Sequence, residues 1–326
     1  MTSSSSTPSA SSTPAIHPHT NPFLLYGLIA FAMLIWAFNY LVAKNAYREL
    51  DGLTLGTLRV VVAAVFMIPI DILYRRSHPM PHPLSRKDYG ILGALGFFLA
   101  FNQGLFIYGL SYTTASHSAL IIAIGPVNIL LLAVLFGLER FTFSKVAGVF
   151  LAFSGVSLLA AGHGIGTRDP TLLGDLLTLG GSLAFAAYAI IGKHVTRRFD
   201  TMTLTAWPFY FGALILSPVA VRQISHTDWS RVGWIGYGAL FYIGIGASLA
   251  GYLIWMWALQ HIAASRMGVF TYVQPVHGTV IGVFLLGEPY TGWLALAGLL
   301  VVCGVGIALW HPSGTESEEE TPAVPD

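Results

Sequence analysis

The chain has 326 residues, of which 55% are hydrophobic and 10% charged, with a net charge of +1 and a mean hydropathy of +0.68. Soluble domains carry about 25% charged residues, so this surface is not built to face water, and the near-neutral charge excludes the basic footprint of a nucleic-acid binder. The single cysteine, Cys303, excludes an intrachain disulfide.

In chain order, residues 1–22 lack basic residues and an apolar core. They are expected to be a disordered tail and not a signal peptide. Ten apolar stretches follow, at 24–43, 54–74, 90–110, 113–138, 144–162, 173–192, 202–221, 233–260, 263–287 and 291–310. Each approaches or exceeds the roughly 20 residues of a bilayer span, and none alternates as β-barrel strands do. The second stretch is the most polar, with Arg59 and Asp71 near its ends, both expected to snorkel to the interface. Residues 311–326 form an acidic tail, also expected to be disordered. The fold class expected is an all-α integral membrane protein with ten transmembrane helices. The connections are too short for a soluble catalytic domain.

Basic residues orient the spans. With the N-terminus inside, the inner loops hold ten (Arg75, Arg76, Arg86, Lys87, Arg140, Lys145, Lys193, Arg197, Arg198, Arg266) and the outer loops five (Lys44, Arg48, Arg168, Arg222, Arg231). Both termini are therefore expected in the cytoplasm, in the plasma membrane.

The segments GPVNILLLAVLFGLE (125–139) and QPVHGTVIGVFLLGE (274–288) share a proline, a valine and a terminal glutamate at an offset of 149 residues. The same offset relates Lys44 to Lys193, Ala115-Ser116 to Ala264-Ser265, Thr142 to Thr291 and Gly155-Val156 to Gly304-Val305. The chain thus divides into two five-span halves, 23–163 and 172–310. An odd number of spans makes the second half enter the membrane in the opposite sense, and inverted repeats are a signature of secondary transporters.

Polar and aromatic residues within the spans mark a route. Trp36, Asn39, Asn102, Asn128, Tyr188, Tyr252, Trp255, Gln274 and His277 are the expected substrate path. Asn102 shares a helix face with Phe106, and Gln103 is adjacent. Packing hydrogen bonds use the same residue types, and a neutral His277 bonded to a neighbouring helix would be silent. Pro126 and Pro275 are expected to kink spans 4 and 9 near their middles. The tight connections 109–120 and 258–269 place His117 and Arg266 at equivalent positions on opposite sides, and these two are the expected gates. Lys44 and Lys193 sit at span ends as expected anchors, and Glu139 and Glu288 as expected local partners. No carboxylate lies mid-span and neither span histidine has an acid beside it in sequence, which leaves His277 for proton coupling and weighs against an intramembrane enzyme. No phosphate-binding glycine loop with its lysine is present, so no ATP engine is built in.

WAFNYLVAK (Trp36–Lys44), the arginine of TLRVV at Arg59 and the twin proline–glutamate blocks resemble the EamA family of the drug/metabolite transporter superfamily. Alanine stands at Ala37 where members usually carry glycine, and the second copy, FAAYAIIGK, keeps the lysine but lacks the Trp and Asn. The resemblance covers 24–310 and implies ten helices around a central cavity, with spans 5 and 10 peripheral. It is similar to exporters of amino acids and other metabolites. The expected function is alternating-access export of amino acids or related compounds. Phosphorylated metabolites rank lower because the mid-membrane region is expected to lack Lys and Arg. Nucleotide sugars, drugs, a channel and an intramembrane enzyme stand as alternatives. A small-molecule substrate and the lipid bilayer are the expected partners. Proton or exchange coupling and a homodimer are compatible with the pattern, and no cofactor, metal or nucleic acid is expected.

Overall fold

The computed structural model describes residues 21–80, 83–135, 143–162, 170–261, 270 and 273–309. Every regular element among them is helical: α1 (Pro22–Ala46), α2 (Gly52–Ser77), α3 (Arg86–Tyr112), α4 (Ala115–Ile122), α5 (Gly125–Leu135), α6 (Phe143–Gly162), α7 (Pro170–Val195), α8 (Thr201–His226), α9 (Trp234–Phe241), α10 (Gly251–His261), α11 (Val273–Val280) and α12 (Gly292–Leu309). A π-helical segment, Tyr242–Ala250, joins α9 to α10 in one continuous span, and a second, Ile281–Leu285, extends α11. Helix thus occurs at each of the ten expected positions. Seven stretches among the described residues are long and apolar enough to cross a membrane, while α6 and α12 are shorter apolar helices.

The helices start where their chemistry dictates. Asp51 and Asp200, equivalent residues in the two halves, cap α2 and α8 by accepting from Thr54 N at 2.8 Å and Thr203 N at 2.6 Å. Ser85 and Asp88 form a reciprocal capping box at α3. Exposed Phe31, Phe38, Val65, Phe150, Leu214 and Phe284 give the bundle the apolar outside that lipid requires.

Packing shows the inversion directly. Equivalent spans lie side by side: α2 on α8, α4 on α11, and α6 on α12. Thr54, at the start of α2, meets Gln223 near the end of α8 at 3.1 Å, while Arg75, near the end of α2, donates to Thr203 at 2.7 Å at the start of α8. Start meets end twice, so the pair is antiparallel. Between α6 and α12 the equivalent glycines face each other's helix. A Cβ on Gly155 would lie 2.7 Å from Ala297 O, and one on Gly304 would lie 2.3 Å from Ala152 N.

Four expectations are corrected. Span 4 is not one helix kinked at Pro126: α4 ends at Ile122, a turn covers Ala123 and Ile124, and Pro126 is the second residue of α5. There the missing N–H costs nothing. Lys44 and Lys193 are not anchors reaching into lipid headgroups. Their Nζ atoms donate to Thr113 O and, at 2.9 Å, to Leu259 O, tying down the last carbonyls of the third span of each half. Glu288 does not pair locally. It accepts from Ala115 N at 2.6 Å and Ser116 N at 3.0 Å, capping α4 of the other half. Arg59 is the fourth, and it reshapes the site. Glu139, Arg140 and Arg266 lie outside the described residues.

Candidate functional site

A cavity opens where α1, α2, α3, α5, α7, α10 and α11 converge, with about 850 Å³ not filled by protein atoms, open solvent included. Its lining contains Trp36, Asn39, Asn102, Tyr252, Trp255, Gln274 and Pro126 from the expected set. It also contains residues that the sequence did not place on the route, chiefly Arg59, Ser182 and Phe185. Asn128 and Tyr188 sit one layer behind. Asn128 Nδ2 donates to Ser182 Oγ at 2.9 Å, and Tyr188 packs 5.6 Å from the Tyr252 ring. His277 is half-buried on α11 outside this lining.

The aromatic part is a cluster of four rings from three elements. Trp36 meets Phe185 edge-to-face at 6.2 Å, Tyr252 at 5.6 Å and Trp255 at 5.6 Å. Trp36 and Phe185 are equivalent positions of the two halves, so the duplicated residues touch at the centre of the molecule. Two local features aim Trp36. The indole Nε1 donates at 2.7 Å to Ala247 O, a carbonyl of the π-helical segment. Gly251 supplies the space, since a Cβ there would lie 2.5 Å from Trp36 Nε1.

The polar part comes mainly from the first half. Asn102 Nδ2 donates to Gly181 O at 2.9 Å, and its Oδ1 accepts from Tyr252 OH. Arg59, expected at the interface, is only 3% exposed. It lies seven residues into α2, about 10 Å along the axis, and the first turns of α2 pack inside the bundle. At Gly52 and Gly56 α2 closes directly on Ser111 and Gly104 of α3, which sinks the following turn. Arg59 Nε donates to Ser248 Oγ at 2.9 Å. The Ser248 hydroxyl lies 2.6 Å from Gln103 Oε1 and 2.8 Å from Ile243 O and donates its one proton to one of them. Arg59 is therefore a cation inside the bundle and not a snorkelling residue at the interface. Sequence position alone was ambiguous, because a snorkelling residue and a buried one occupy the same place in a hydropathy profile.

Helices, inverted halves and a central cavity lined from both halves describe a transporter body, and the EamA-like transporter family model matches residues 24–161 and 172–310. The chain belongs to the EamA-like transporter family. An uncharacterized transporter of Archaeoglobus fulgidus is 27% identical to this EamA-like protein, over 85% of the present chain and 94% of its own. Uncharacterized transporter YyaM of Bacillus subtilis is 27% identical, over 88% and 93%. A protein of Streptantibioticus cattleyicolor named as a probable terminal-alkyne amino-acid exporter is 24% identical, over 83% and 88%. One solved crystal structure superposes with a TM-score of 0.60 at 20% identity, covering 87% of this chain and 96% of that one, and so shares the fold.

At one end of this EamA-like bundle, buried polar contacts join the helices. His117 Nδ1 lies 3.2 Å from Asp175 Oδ2, both buried, so the histidine has an acid beside it that only the fold supplies. Asp175 also accepts from Thr113 at 2.5 Å. Beside them Glu288 caps α4 and takes a third bond, from Ser116 Oγ, at 2.7 Å. The cavity lining at Ala189 and Leu259 runs toward the opposite end.

Proposed function

We propose that this transporter exports amino acids or closely related small metabolites across the plasma membrane by alternating access, with both termini in the cytoplasm. The observation that carries the proposal is the cavity at the junction of two inverted halves, lined by rings and a few amides. A small solute with an apolar body and a few polar groups suits such a lining. The relative named as an amino-acid exporter supports the substrate class, and the ten-to-five distribution of basic residues supports the orientation. The closed end at His117 and Glu288 serves as one of two gates, with the connection containing Arg266 as the other. Exchange of solute against solute needs no ATP-binding loop, and none is present in the sequence.

The test has two arms. Cells with and without the chain are compared for excreted small metabolites, and the purified chain in proteoliposomes is assayed for counterflow of amino acids. Accumulation outside cells together with counterflow supports export. If excretion does not differ and no amino acid exchanges, the proposal fails. A channel would conduct without counterflow.

A further inference from the structure

The cavity holds one fixed charge that the surrounding protein does not balance. Arg59 is buried, and its Nε bonds to a neutral hydroxyl. Among the described residues no carboxylate pairs with it, and neither terminal guanidinium nitrogen has a hydrogen-bond partner. Two further donors of the same lining, Gln103 Nε2 and Trp255 Nε1, are buried without partners. A guanidinium stays protonated, and a buried charge without a counter-charge is costly. Unpaired buried donors add to that cost. A guanidinium kept only for packing would be neutralised by a neighbouring acid, as Arg75 is by Asp71 at 3.1 Å.

We infer that Arg59 is the anion-recognition residue of this cavity and takes the carboxylate of a small molecule whose apolar or aromatic body rests against Trp36, Phe185 and Tyr252. Two terminal guanidinium nitrogens present the parallel fork that a carboxylate accepts from. Among the described lining residues Arg59 is the only Lys or Arg. One guanidinium balances one carboxylate, whereas a phosphate monoester at neutral pH would bring surplus negative charge. The inference rests on the transport proposal and adds the group by which the solute is held.

The test measures equilibrium binding to the full-length chain in nanodiscs, with radiolabelled L-phenylalanine and L-leucine as probes. L-phenylalaninamide, which differs from phenylalanine only at the carboxylate, and phenylacetate compete for the site. Acid binding that is saturable, displaced by phenylacetate and at least tenfold weaker for the amide is expected. Arg59→Gln should weaken acid binding at least tenfold and bring the acid and amide together, and Arg59→Lys should restore part of the preference. Equal binding of acid and amide, no saturable binding of either labelled acid, or full acid binding by a folded Arg59→Gln variant overturns the assignment. If Arg59→Gln does not fold, the acid-against-amide comparison on the unmodified chain decides alone. Counterflow is scored separately. Carboxylate-selective binding without exchange leaves the site standing and removes the transport proposal, and exchange without carboxylate preference does the reverse.

Discussion

Asn102 joins three spans through one side chain, bonding the α7 backbone at Gly181 and the Tyr252 hydroxyl on α10. Truncation to alanine strands both partners in a buried site. Asn102→Ala is therefore expected to cost about 1–3 kcal/mol, read as a lower thermal midpoint in a fixed detergent. Tyr252→Phe, which orphans only one acceptor, should lower it less, and equal shifts would show that the network does not hold these spans. Gly251 acts through space and not through a bond. A methyl group there collides with the Trp36 indole, so Gly251→Ala is expected to displace the ring and cut amino-acid counterflow at least tenfold while the protein still elutes as a folded species. Unchanged counterflow would remove Trp36 from the route. Trp36, Asn39, Asn102, Tyr252, Trp255 and Gln274 could be named from the sequence because polar and aromatic side chains inside apolar runs are few. Gly251 could not, because a glycine's role depends on what approaches it.

At the scale of elements, close helix packing and broken helices do different work. The α6–α12 contact is made by Gly155 and Gly304, where no side chain fits. Gly304→Val is expected to destabilise the protein by about 1–3 kcal/mol through overpacking. Gly306→Val, on the same helix with open space around it, should be close to neutral. Thermal melts of the two variants make the comparison, and equal melting points would place the contact elsewhere. Elements that border the cavity are instead interrupted, at the turn between α4 and α5 and at the π-helical segment 242–250. The offset of 149 residues reveals which helices are equivalent. Where a span breaks is hidden in the sequence, since a proline at the start of a helix and one in its middle look identical in a hydropathy profile.

At the scale of the molecule, inversion brings equivalent spans of the two halves together, and the cavity has two chemically different walls. Positions related by the repeat diverge there: Asn39 corresponds to Tyr188, Gln103 to Tyr252, Asn102 to Gly251 and Arg59 to Pro208. Among the described lining residues the first half supplies the arginine and three of the four amides, while the second contributes most of the rings. Glu288 belongs to one half and caps a helix of the other, so these bonds last only while the halves are packed there. Glu288→Ala removes three accepted hydrogen bonds and should shift the population toward opening at that end. Spin labels at exposed Tyr112 and Tyr290 would report a longer distance component in electron–electron resonance. An unchanged distribution would show that Glu288 is a cap without a gating role.

Class, duplication and inversion were determined by the sequence alone, because apolar length, an odd span count per half and a fixed offset are properties of order along the chain. The tertiary structure decided what became of the individual charges. Arg59 and Asp175 lie near span ends, where water or headgroups would accommodate them. In the folded bundle Arg59 faces a cavity and Asp175 meets His117 at a helix junction. The difference is one of solvation: a side chain's depth in sequence does not say whether lipid, water or protein surrounds it, and only the packed neighbours do.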